Sequence, residues 1–285
     1  MVQGTASNAG KTLIVAGLCR LFTRRGLRVL PFKPQNMSNN VAISADGGEI
    51  GIAQAMQARA CIAEPTSDMN PVLLKPVSER GSLVVLQGRA REIVGATEYL
   101  IYKRTLMPYV MESFDRLCTQ ADLVLVEGAG SISEINLRDG DISNMGFAVE
   151  ANVPVVLAAD IDRGGALAAI AGSWYLLPDN EKSLLRGYMM NKFRGDLDVL
   201  APAMDVIREH TGLSCFGVIK WFQEASKLPA EDSLSADSQC VVEEKIDDIL
   251  DKLASHIGRC VDIDELAKIA GLQHAGTRRT LFGNT

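Results

Sequence analysis

Five short, nearly unbroken apolar runs punctuate the chain, at residues 28–33, 122–128, 153–160, 186–193 and 215–220. Between them, at 11–25, 49–63, 96–121, 164–176 and 197–212, apolar positions recur every three or four residues. That spacing lines one face of a helix. A strand apolar at nearly every position is buried on both faces, and an intervening helix supplies the crossover that parallel strands need. The pattern therefore predicts an α/β fold, a parallel sheet with helices on both faces. After Phe222 the character changes. The stretch "QEASKLPAEDSLSADSQ" is polar and aperiodic, and reads as a linker. Val242, Ile246, Ile249, Leu250, Leu253 and Ile257 then share one helical stripe, a shorter helix is predicted at 263–270, and 274–285 reads as a loose tail. The expected organisation is a domain at 1–227, a linker at 228–240 and a helical C-terminal appendage at 241–285.

Ligands of such sheets bind beyond the carboxyl ends of the strands, and polar clusters stand there. The first, "GTASNAGKT" at 4–12, ends like a phosphate-binding loop, but five residues separate Gly4 from Gly10 where the common rule has four. In such a loop, glycines let backbone N–H groups converge on phosphate oxygens at a helix start. Gly4, Thr5, Ser7, Asn8 and Gly10 are the expected ATP-phosphate lining, with Lys11 reaching the outer phosphates and Thr12 ligating Mg²⁺. "VEGAGS" follows the second strongly apolar run and puts Glu127 where a Mg²⁺-ligating carboxylate belongs. "FKPQN" aims a second cation, Lys33, into the same crevice. "AADIDRGG" and "NKFRGD" end two further strands. Each cluster alone has a local explanation as a turn or a helix start. Together they mark one edge of the sheet.

The loop, the Lys-Pro of "FKPQN" and "VEGAG" resemble the dethiobiotin-synthetase-like family of ATP-dependent carboxylate ligases, in which the phosphate loop carries the fifth spacer residue. "PFKPQNMSNN", "DGGEIGIAQAMQARA", "DMNPVLLKP", "EGAGSISEINLRDGDISNMGFA", "ADIDRGG" and "NKFRGD" narrow the resemblance, over residues 2 to about 233, to the cobyric acid synthase family. Members amidate carboxylate side chains of adenosylcobyrinic acid a,c-diamide with ATP and glutamine-derived ammonia. The resemblance implies a P-loop fold, ATP with Mg²⁺, a corrinoid substrate, and Glu49 as second Mg²⁺ carboxylate with Asp46 its near competitor. It also implies Asn191 at the adenine, and Asn36, Asn70, Lys75, Ser131, Glu134, Asn136 and Asn144 around the substrate. Lys11, Lys33, Glu127 and Asp141 are the expected catalytic residues, Asp141 positioning the substrate amide or accepting a proton from ammonia. Local turn chemistry is the alternative for the 134–144 group, with Asn144 capping a helix at 145–150.

Family members also carry a glutaminase domain, and no cysteine here has the glycine-rich setting of its nucleophile. Residues 241–271 resemble the family's extreme C-terminal helix. Ammonia is therefore expected from outside this chain, free or from a separate glutaminase. The first strand, normally central, is expected to be almost absent before Gly4 and the sheet correspondingly weak. Lys220 stands where the family usually has proline. The alternative readings are a catalytically impaired remnant or a partitioning-type ATPase switch on the same fold. The latter usually carries an extra lysine early in the loop, where Thr5 and Ala6 stand here.

Composition removes other classes. Apolar residues make up 47% of 285, enough for a sizeable core. A formal charge of −6 argues against nucleic acid or an anionic membrane as partner. Six scattered cysteines and three isolated histidines fit buried thiols in a reducing cytoplasm, not disulfides or a zinc site. No membrane span or signal peptide is read, and a homodimer is compatible with all of this.

Overall fold

The computed structural model describes residues 1–78, 81–229 and 243–272. β1 (Val2–Gly4) runs through the loop 5–10 into α1 (Lys11–Arg24), and β2 (Val29–Phe32) follows. The chain then leaves the expected alternation. β3 (Gln35–Met37) and a hairpin of β4 (Val41–Ile43) and β5 (Glu49–Gly51) precede α2 (Ile52–Ala60). Next come β6 (Val72–Ser78), β7 (Gly81–Leu86) and β8 (Arg89–Gly95), then α3 (Ala96–Tyr102) and α4 (Met107–Gln120). Alternation resumes with β9 (Leu123–Val126), α5 (Met145–Glu150), β10 (Val155–Asp160), α6 (Ala166–Leu176) and the short α7 (Asp179–Lys182). β11 (Leu185–Phe193), α8 (Leu197–Thr211) and β12 (Ser214–Lys220) complete it. α9 (Glu243–Cys260) and α10 (Ile263–Ile269) come last among the described elements.

All five predicted strands are present and parallel. The order β1-β10-β11-β12 forms one ladder and β2-β9 another. A bridge between Val2 and Glu127, with Gly128 N–H donating to Val2 O at 2.9 Å, joins the two. The first strand, expected to be almost absent, is three residues long and hydrogen-bonded on both sides. β10 explains its unbroken apolar run. Val155, Leu157 and Ala159 belong to a core with Ile170, Leu200 and Ile207, while Val156 and Ala158 belong to the core beneath α1. Each buried valine, leucine or isoleucine among them contributes roughly 1.5–3 kcal/mol. A third core, under β6–β8, centres on Phe32, Phe114 and Phe147, whose ring centroids lie 5.2 to 5.5 Å apart.

Two helices differ from expectation. The one predicted at 96–121 is split by a turn at Lys103–Thr105, and α4 restarts with Pro108 in its first turn, where a missing N–H costs nothing. The one predicted at 49–63 surrenders Glu49–Gly51 to the hairpin and ends at Ala60, before Ile62 at φ 56°. Cys19 and Cys61 are buried as expected, but Cys118 is exposed on α4. Of the linker expected at 228–240 only 228 and 229 are described, and the tail at 274–285 lies outside the described residues. Among the described residues no helix is long and apolar enough to cross a membrane.

The C-terminal helices do more than append. Ile249, Leu250, Leu253 and Ile257 of α9 share one core with Ile14, Leu18 and Leu21 of α1. A Cβ at Gly17 would collide with Ile257 Cδ1, so the glycine permits the close approach. Arg20, buried on α1, pairs with Asp247 and lies 3.6 Å from Asp251, while Arg59 of α2 reaches Asp247 at 2.9 Å. Asp247→Ala removes the carboxylate shared by both guanidiniums, and is expected to cost roughly 1–3 kcal/mol, a few degrees in Tm. Asp248→Ala, which removes only the exposed i,i+4 pair with Lys252, is the control. Equal melting of the two variants would show that the Asp247 pairs contribute nothing.

Candidate nucleotide and carboxylate site

The loop between β1 and α1 is held from outside through its carbonyls. Ser131 Oγ donates to Thr5 O (2.8 Å), Lys11 Nζ to Ala6 O and Ser7 O (3.2 Å each), Lys192 Nζ to Asn8 O (2.7 Å) and Asn191 Nδ2 to Ala9 O (2.9 Å). Five consecutive acceptors are thus engaged, three of them by groups other than Lys11. Gly10, at φ 89°, is required twice over: its backbone is left-handed, and a Cβ would strike Asn191 Nδ2. Lys11 Nζ also donates to Gly130 O at 2.7 Å, which ties the loop to the turn after β9.

Beneath the loop, Glu127 collects donors from three elements. Its Oε1 accepts from Thr12 Oγ1 (2.8 Å) on α1 and Lys33 Nζ (3.0 Å) after β2, and its Oε2 from Gln57 Nε2 (2.5 Å) on α2. Glu127 is 1% and Lys33 3% exposed. Burial alone would push the Glu127 carboxyl up, but the Lys33 ammonium and the three hydrogen bonds hold it below the usual carboxylate range. A hydroxyl beside a buried, ionised carboxylate is a hard oxygen pair, which suits Mg²⁺ completed by phosphate oxygens and water. Thr12 and Glu127 therefore fit such an ion.

A cavity of about 630 Å³ opens from this cluster. Its lining takes in Ser7, Asn8, Lys11, Thr12, Lys33 and Glu127, the polar Asn36, Ser131, Glu134, Asp141 and Asn144, and the apolar or aromatic Leu74, Val94, Tyr99 and Leu100. Other expected site residues lie elsewhere. Glu49 is drawn away by the β4–β5 hairpin and pairs with Lys75 at 2.9 Å, while Asp46 accepts from Ser44 and Ser67 hydroxyls (2.5 Å each). Neither carboxylate, nor Lys75, lines the cavity that Thr12 and Glu127 share. Asn70, fully buried, clamps backbone, accepting from Gly51 N and donating to Lys33 O and Val72 O. Asn136 is exposed on a short turn outside the cavity lining. Asn191 spends its amide on the loop.

The loop that follows β9 is built on Asp141. Its carboxylate accepts from the backbone N–H of Ser143, Asn144 and Gly146, and so caps α5. The cap expected from Asn144 thus comes from Asp141, while Asn144 Nδ2 donates to Ala129 O. Sequence reasoning missed Gln57, Lys192 and Lys103, the last lining the cavity and donating to Leu137 O at 2.8 Å. Gln57 left a signal, a polar residue among the small apolar positions of "IAQAMQARA". Lys192 had one too, inside the strand-end cluster "NKFRGD".

The phosphate loop, the carboxylate after β9 and the parallel sheet define a P-loop nucleotide-binding domain. The chain belongs to the CobQ/CobB/MinD/ParA nucleotide-binding domain family, whose model matches residues 1–235. It is 50% identical over 282 residues to a cobyric acid synthase from Jannaschia sp., covering 99% of this chain and 57% of that protein. A cobyric acid synthase from Methylobacterium nodulans is 57% identical over 234 residues, 82% of this chain and 48% of that one. The chain thus spans about half the length of the curated relatives it matches. Among solved structures, the cell division ATPase MinD of Pyrococcus furiosus aligns with a TM-score of 0.44 at 16% identity, covering 91% of this chain and 98% of that one.

Proposed function

We propose that this chain carries out ATP-dependent amidation of carboxylate side chains on a corrinoid, adenosylcobyrinic acid a,c-diamide, toward cobyric acid, with ammonia supplied from outside the chain. One observation carries the reading. Lys11, Thr12, Lys33 and Glu127 line the same cavity as Asn36, Ser131, Glu134 and Asn144. An outer phosphate at the loop and a carboxylate in the cavity would then be neighbours. The high identity to cobyric acid synthases supports the choice of substrate class.

A carboxylate is a poor acyl donor because its leaving group would be oxide. Transfer of the γ-phosphoryl from ATP to a carboxylate oxygen forms an acyl phosphate and releases ADP. The lone pair of ammonia then forms the C–N bond, the C–O bond to phosphate breaks, and phosphate and one proton leave. What the protein supplies is alignment and charge neutralisation. Lys11 and Lys33 place two cations where negative charge gathers. Thr12 and Glu127 would hold Mg²⁺, which when bound neutralises phosphate charge. Asp141 shapes the wall by capping α5, and Ser131 couples that wall to the phosphate loop. Asn191, the residue proposed at the adenine, and Lys192 hold the loop through the carbonyls of Ala9 and Asn8.

The test is amide formation on the corrinoid diamide with ATP and ammonium, and separately with glutamine. Ammonium is expected to support product and glutamine alone to give none. ADP release indifferent to the corrinoid would refute the substrate, and glutamate release by the pure chain would refute the external ammonia source.

A further inference from the structure

Gln57 is fully buried on α2, among Ala53, Met56 and Ala60, yet its side chain is polar. Its Nε2 donates to Glu127 Oε2 at 2.5 Å and to Thr12 O at 3.3 Å. Both neighbours are acceptors, which requires the NH₂ group, not the carbonyl, to face them. Gln57 Oε1 is left buried with no partner among the described residues. A buried amide oxygen in that state costs stability, while the bonds to the buried Glu127 carboxylate and the Thr12 carbonyl return some of it. The geometry gives the amide a second role: it occupies one carboxylate oxygen of Glu127 and leaves the other, Oε1, to the Thr12 hydroxyl and the Lys33 ammonium.

We propose that Gln57 is a positioning residue for the divalent cation: by holding Glu127 Oε2 it fixes Oε1 and Thr12 Oγ1 as one pair of cation-facing oxygens. The proposal rests on the nucleotide and cation reading of this site. A donor without charge suits the task. A lysine or arginine there would add a second cation to the one Lys33 already sets on Oε1, and a carboxylate would repel it. Gln57 also bonds the backbone of Thr12, so one amide sets both members of the pair. Removing it leaves the Glu127 carboxylate held at Oε1 alone, by Thr12 and Lys33, while the phosphate loop keeps its own supports from Ser131, Lys192 and Asn191.

The experiment measures Mn²⁺ binding to the ATP-loaded chain by electron paramagnetic resonance, and metal-free ATP binding by calorimetry, on the same preparation. Gln57→Leu is expected to weaken Mn²⁺ binding roughly 10- to 100-fold, the usual effect of losing a group that orients a metal ligand. Metal-free ATP affinity should stay within about twofold, since the loop anchors are untouched. A purely structural role would lower both affinities together, and that outcome overturns the proposal. So does unchanged Mn²⁺ affinity. If the leucine variant does not fold, Gln57→Asn, which withdraws the amide by one carbon, should show a smaller loss confined to the metal, and a wild-type Mn²⁺ affinity in it overturns the proposal equally. Wild-type chain that binds ATP but no Mn²⁺ would overturn the cation reading itself.

Discussion

Lys11→Ala is expected to weaken ATP binding by about 1.5–3 kcal/mol, one to two orders of magnitude in Kd, and to abolish the proposed ATP-dependent amidation. The lysine is 4% exposed and its ammonium is turned into the loop, donating to Ala6 O, Ser7 O and Gly130 O. On nucleotide binding these neutral acceptors would be exchanged for charged phosphate oxygens, and bonds of that kind are roughly twice as strong. Phosphoryl transfer gathers more charge still on the same oxygens, so turnover should fall further than affinity. Truncation also strips a donor from three carbonyls, so the comparison belongs well below the melting temperature of the variant. Calorimetric titration with ATP·Mg²⁺ gives the affinity. Equal affinity in both proteins would remove residues 4–12 from the nucleotide site.

Where the sequence was readable, the reason is physical. β10 is apolar at consecutive positions because both of its faces are covered, and that leaves a pattern no exposed strand shows. The strand predicted at 122–128 put Glu127 at its carboxyl end, and β9 ends just before it; the loop at 4–12 was legible from its glycines and Gly-Lys-Thr and not from a predicted strand. The β6–β8 meander was not readable. Pro76 stands inside β6, and the β7–β8 hairpin turns on Gln87 (φ 47°) and Gly88 (φ 76°) instead of the Asn-Gly that advertises such turns. Missing that meander misplaced Lys75. Its register on β6 carries the ammonium to Glu49 and not into the cavity. Asp141 shows the other limit. A carboxylate in a polar loop reads equally as catalytic or as a cap, and only the three backbone N–H groups around it separate the two.

The largest structural effect is expected at the buried pair of Lys33 and Glu127. Glu127→Ala removes the carboxylate paired with Lys33, whose side chain is 4% exposed. Removing one partner of a buried pair typically costs about 3–5 kcal/mol, because the other charge stays desolvated. That is a large share of a typical net stability of roughly 5–15 kcal/mol, and corresponds to a fall of roughly 5–15 °C in Tm. The double variant Lys33→Met with Glu127→Gln removes both charges and keeps the volume, so much of the loss should be recovered. Activity should not return, since the double variant lacks both the proposed cation ligand and the second cation. The pH dependence has a definite sign. The Glu127 carboxyl is held below its unfolded value, so its contribution is full above that value and is lost as pH falls through the folded one. Wild-type Tm should therefore drop on the acid side, through and below the ordinary carboxylate range near about pH 4, more steeply than that of the double variant. Melting curves across an acid pH series measure all three proteins. A Glu127→Ala chain that melts with wild type, or parallel acid limbs in wild type and the double variant, would mean that the pair carries no net weight in the fold.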